Sequence, residues 1–193
     1  MLKIDLFEQS VNETLTLIRQ KDIAAHQDGV FQTTLLVYIQ QQQTNMLQPL
    51  FYAVATVLQQ GIEALRAHNS LGSDLLDRYY FQGFTIQAIR NNRQLSESVP
   101  TLRRRRIEAV TELSKRLFQQ ELIERKNWRL KMLDELPLRD HDRVFGRKHD
   151  ISLLSQKIQD RNAYWLINLI GMGGLGKSTV AQAVAHNFVD KLQ

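Results

Sequence analysis

The sequence predicts a mainly α-helical chain that ends in one β-α unit, the first of a truncated α/β domain. Three observations predict it. Apolar residues recur near helical spacing through most of the first 135 positions. An apolar run, Tyr164-Trp165-Leu166-Ile167-Asn168-Leu169-Ile170, then reads as a strand. It leads into Gly171-Met172-Gly173-Gly174-Leu175-Gly176-Lys177-Ser178, after which Val180, Ala181, Val184, Ala185, Phe188 and Val189 restore a helix.

Taken in order, residues 3–20 read as an amphipathic helix with Ile4, Phe7, Val11, Leu15 and Ile18 on one face. Asp28-Gly29 is a turn. Residues 30–39 suit a strand or a helix; their neighbours favour helix, with Gln40 to Gln43 as its exposed polar end. A clearer helix spans about 45–68. There Leu47, Leu50, Val54, Val57, Leu58, Ile62 and Leu65 make one stripe, and Pro49 sits in the tolerated first turn. A short helix over 74–81 is broken by Gly83, and Thr85 caps another over 85–91.

After a turn through Leu95, a long helix runs from Ser96 or Ser98 to about Leu133. Val110, Leu113, Leu117 and Phe118 continue its apolar seam, Trp128 anchors its end against other helices, and Pro137 stops it. Residues 136–142 form a charged connector. A lead-in helix over 150–159 points Ile151, Leu154 and Ile158 inward. The expected organisation is a helical domain over 1–135, a linker over 136–148 and the start of a second domain over 149–193.

Composition narrows the class. The 193 residues are 43% hydrophobic, ordinary for a soluble protein. Without cysteine there are no disulfides or thiolate metal sites, which fits a reducing compartment. The start lacks a secretory h-region, and no apolar run approaches the roughly 18 residues of a membrane helix. A cytoplasmic protein with no membrane partner is expected. The five histidines are scattered without metal-ligand spacing and read as surface residues.

Charge is uneven. From Arg90 to Lys131 there are twelve Lys and Arg against five Glu, a surplus of seven, while the rest of the chain sums to −2 of its +5. Such a block is an electrostatic footprint for an anionic partner or a solvated face. Arg103, Arg104, Arg105 and Arg106 step by about 100° each, so they surround a helix and cannot all be buried.

Short helix, tight turn and longer basic helix is the layout of a helix-turn-helix over about 74–133. The segment from Leu75 to Ile89, with Leu95-Ser96-Glu97-Ser98 and the four arginines, resembles the C-terminal DNA-binding region of bacterial sigma factors. That resemblance implies DNA contacts by Arg103 to Arg106. Three features depart from it. Arg90 replaces a usually small residue, Arg93 a usually apolar one, and Val99-Pro100 alters the start of the second helix. A solvated or protein-binding helix is the other reading.

The glycine loop fits G-x-x-x-x-G-K-[ST] between a strand and a helix, the setting in which this phosphate-binding pattern carries meaning. Glycines let backbone N–H groups approach an anion, and the following helix aims its dipole at it. Lys177 would reach the β- and γ-phosphates, Ser178 would ligate Mg²⁺, and Thr179 would lie near the α-phosphate. Met172 stands where a variant loop has a second lysine.

The wording of Gly171, Gly173, Gly174, Leu175, Gly176, Lys177, Ser178 and Thr179 resembles the loop of NB-ARC proteins. These are STAND-class P-loop NTPases that act as signalling switches. Upstream, Val144-Phe145-Gly146-Arg147 resembles the short motif that contacts the nucleotide base in that family. The resemblance covers about 143 onward and implies ATP or ADP as ligand, with Val144, Gly146 and Arg147 beside it.

Hydrolysis needs a further acidic strand to hold Mg²⁺ and position water. Fourteen residues follow Thr179 and supply none, so no catalytic residue is assigned. These residues are expected to be the N-terminal piece of a longer protein. The expected function is a nucleotide switch regulating transcription or defence through DNA; the alternative is a helical adaptor for protein partners or self-association.

Overall fold

The computed structural model describes residues 3–21, 29–43, 49–137, 144–159 and 166–190. The apolar periodicity becomes helix at Ile4–Gln20 (α1), Leu35–Gln43 (α2), Leu50–Leu65 (α3), Ser70–Leu76 (α4), Ile86–Arg93 (α5), Val99–Glu135 (α6), Lys148–Gln159 (α7) and Lys177–Asp190 (α8). Pro49 precedes α3 instead of lying in its first turn, and the expected start at 45–48 lies outside the described residues. Contacts divide the chain into two compact units, 1–124 and 125–193. No helix among the described residues is long and apolar enough to cross a membrane.

In the first unit the stripes read from the sequence meet. Phe7, Val11 and Leu15 of α1, Val54, Leu58 and Ile62 of α3, and Leu113 and Leu117 of α6 share one buried core. Phe7 stands edge-on to Phe31 at 5.7 Å and to Phe118 at 5.4 Å, pairs worth roughly 0.5–1.5 kcal/mol each beyond their burial. A smaller core of Leu75, Ile86, Ile89 and Leu102 holds α4, α5 and the start of α6 together.

Glu121 lies in this unit with its side chain fully buried. Its two carboxylate oxygens accept the N–H groups of Leu35 and Leu36, each at 3.0 Å. These are the first amides of α2, which have no helical acceptor of their own. A negative charge at that end also meets the positive pole of the helix dipole.

Past α4 the chain widens into a π-turn at Asp77–Phe81, closed by the Gln82 N–H on the Asp77 carbonyl at 3.1 Å. Arg19 donates to the carbonyls of Tyr79 and of Phe84, the latter at 3.1 Å, and stacks on the Tyr79 ring. Tyr80 is only 4% exposed. Burial raises its phenol above the ordinary 10.0, partly opposed by the nearby guanidinium of Arg106.

In the second unit Leu154 of α7 and Val180 and Val184 of α8 form the core, with Ile151 and Phe188 against it. Ile158, expected inward, is 45% exposed. His186 also corrects the reading of histidines as surface residues: it is buried, with Nε2 3.1 Å from the Pro137 carbonyl. His26 and His141 lie outside the described residues.

The strand expected over 164–170 is not formed. Tyr164 and Trp165 lie outside the described residues, and residues 166–170 have no ladder partner. A strand exists only through hydrogen bonds to a neighbour, and the other described elements are all helices. Leu166 is accordingly 59% and Ile170 93% exposed.

Glu121→Gln should destabilise the protein by about 2 kcal/mol, because an amide NH₂ then faces a backbone donor in a dry site. Urea unfolding monitored by circular dichroism measures the loss, and an unchanged midpoint would exclude the capping role. Tyr80 gives a pH prediction. Its neutral form is favoured in the folded state, so stability is full below pH 10.0 and declines above it. Tyr80→Phe should flatten that alkaline decline in urea midpoints measured between about pH 9 and 11.

Candidate functional site

The phosphate-loop candidates lie together in the second unit. Gly174 and Gly176 have φ of +80° and +73°, a region that residues with a Cβ rarely adopt. The Gly176 carbonyl accepts the Val180 N–H at 3.0 Å, which starts α8. The N–H groups of Lys177, Ser178 and Thr179 therefore have no helical acceptor, and the positive dipole end sits with them. Ser178 is exposed.

Lys177 turns back into the loop. Its Nζ donates to the Gly171 carbonyl at 2.8 Å and to the Met172 carbonyl at 2.7 Å. An ammonium held by its own loop's carbonyls sits beside the free amides, so one mouth carries several donors and no acceptor of opposite charge among them. This donor set suits phosphate oxygens. The Met172 side chain is exposed; only its carbonyl takes part.

The upstream motif reaches the same loop. Arg147 donates through Nη2 to the Leu175 carbonyl at 2.9 Å and through Nη1 to Asp150 at 3.0 Å. Gly146, at φ +70°, makes the turn that delivers it, while Val144 packs against the unit's core. A cavity of about 550 Å³ opens beside the loop, lined among others by Arg147, Asp150, Leu153, Asn168, Gly171 and Lys177. Its size falls within the roughly 300–1,000 Å³ of small-molecule sites. Asp150, Leu153 and Asn168 carried no motif in the sequence; only the fold brings them here.

For Mg²⁺ the chain offers the Ser178 hydroxyl. Among the described residues no group of three or more His, Cys, Asp or Glu is placed to hold a metal. Nucleotide phosphates and water would have to complete an octahedral shell.

The four arginines differ in their partners. Arg103 is exposed, and Arg104 lies within 3.5 Å of Glu108 on the solvent side. Arg105 turns to Glu97 at 3.1 Å. Arg106 lays its guanidinium over the Tyr79 ring, 4.2 Å from the centroid.

The two arginines that departed from the sigma-like pattern have structural posts. Arg90 Nε donates to the Glu97 carbonyl at 3.0 Å, and Arg93 pairs with Asp74, which also receives Arg78. Glu97 thereby ties α5 and α6 to the turn between them. Thr85 caps α5 through the Ala88 N–H at 3.1 Å, as expected. Ser98 caps α6, so Pro100 falls in its first turn.

Comparison with family models, with curated proteins and with solved structures finds no match to this chain.

Proposed function

We propose that the chain binds ATP or ADP at the loop 171–179 and serves as a nucleotide-controlled switch of the STAND type. The observation that carries the reading is the loop itself: left-handed glycines, free helix-start amides and a lysine folded into the same mouth. Arg147 of the second family-like motif, hydrogen-bonded to that loop, supports it. Phosphate oxygens would replace the two carbonyls as acceptors for Lys177, and Ser178 would give Mg²⁺ its one protein ligand. Asp150 and Leu153 would flank the base in the adjoining cavity. Differential contact with the γ-phosphate is what would separate ATP-bound from ADP-bound states.

For the helical unit, protein contact is favoured over DNA. The specific observation is that three of the four arginines are engaged within the chain, Arg104 with Glu108, Arg105 with Glu97 and Arg106 with the Tyr79 ring. A duplex-reading face needs several cations on one side of the helix.

Lys177→Ala should weaken binding of a fluorescent ADP analogue by at least tenfold while leaving the helical circular dichroism intact. Equal affinity for both proteins, or no binding by the parent, would reject the nucleotide reading. For duplex DNA, fluorescence anisotropy at about 50 mM salt should show no complex tighter than roughly micromolar. Tighter binding that falls steeply toward 200 mM would return the basic helix to DNA.

A further inference from the structure

We infer that the groove between α1 and α6 in the first unit binds a small zwitterion of the free α-amino-acid class. The groove has a volume of about 530 Å³ and lies apart from the phosphate loop in sequence and in unit. It is independent of the nucleotide reading.

Its two sides carry opposite charge. Asp5 and Glu8 stand one turn apart on α1. Glu8 Oε1 accepts the Thr111 hydroxyl at 2.6 Å, which fixes the carboxylate toward α6. On the other side Arg106 is half-buried, has no carboxylate partner among the described residues, and has a sealed Nε that meets no hydrogen-bond acceptor. Its stacking on Tyr79 and Tyr80 holds the guanidinium in place without neutralising it. A half-buried cation that no described carboxylate pairs with directly favours an anionic group supplied from outside.

Tyr80 is the second sign of a ligand. It is 96% buried by its 4% exposure, it lines the groove, and no described residue hydrogen-bonds its hydroxyl. The phenol O–H is a donor for the same anionic group.

The combination excludes other classes. Two carboxylates repel a phosphate chain or a nucleic acid, and Arg106 repels a metal ion. A molecule with an ammonium for Asp5 and Glu8 and a carboxylate for Arg106 and Tyr80 satisfies both sides. Val110, buried beside them, leaves an apolar surface for a short side chain.

The test is isothermal titration of the full chain with each free L-α-amino acid up to about 10 mM, the weak end of measurable affinity. The N-acetyl acid and the decarboxylated amine of the best binder are titrated in parallel. At least one amino acid should bind, both analogues should bind at least tenfold more weakly, and Glu8→Gln and Tyr80→Phe should each lower affinity about tenfold with thermal midpoints near the parent's. No heat from any amino acid overturns the inference. So does equal binding of the N-acetyl acid, which would mark a simple carboxylate, or unchanged affinity in both variants. Lys177→Ala should leave this binding intact, which separates it from the nucleotide site.

Discussion

A carboxylate buried to zero exposure can persist only if its oxygens are answered, and this one requirement fixes much of the helical unit. Glu121 takes the Leu35 and Leu36 amides at 3.0 Å each, from a position 85 and 86 residues away in sequence. The α2 helix has nine residues, short enough to be marginal alone. Its start is therefore set by α6, and its buried residues, Leu36 and Val37, follow into the same core as α3. The desolvation of one charge is offset by two charge-assisted hydrogen bonds and by the dipole, so neither partner can be altered separately.

The same logic of unmet charge explains the basic segment. Four consecutive arginines cannot share a face, and here Arg103, Arg104 and Arg105 are exposed while Arg106 is half-buried against the Tyr79 ring. Glu97 receives Arg105 on its side chain and Arg90 on its backbone, which gives the turn a rigidity that its sequence does not advertise. The hinge between α5 and α6 carries Arg90 and Arg93, each held by a partner in the same unit. The layout is thus compatible with more than one partner, because packing of Leu75, Ile86, Ile89 and Leu102 alone creates it.

Helices were legible in the sequence because their signals are local: the stripe through Val54, Leu58 and Ile62, the cap at Thr85 and the stop at Pro137 all act within a few residues. Glu121 was not legible, since nothing near it distinguishes a capping carboxylate from a solvated one. Nor were Arg19 and the π-turn it serves, where Tyr79 and Tyr80 fall on a register that ordinary helical spacing does not give. His186 read as surface because a histidine's burial depends on a distant carbonyl, here that of Pro137.

The glycine loop and the segment before it make the sharpest contrast, and distance along the chain decides it. The ties within the loop are short: the two left-handed glycines, the Val180 amide on Gly176, and Lys177 on carbonyls five and six residues back. Such a loop forms from its own residues. A strand has no internal hydrogen bonds, so residues 166–170 form no ladder although their composition favours one. The single longer tie, Arg147 to the Leu175 carbonyl across 28 positions, joins two motifs that the sequence could only set in order. That bond makes a geometric unit of them. Arg147 holds one loop carbonyl and Lys177 two more, so three of the loop's acceptors are occupied, while the first amides of α8 have no helical acceptor.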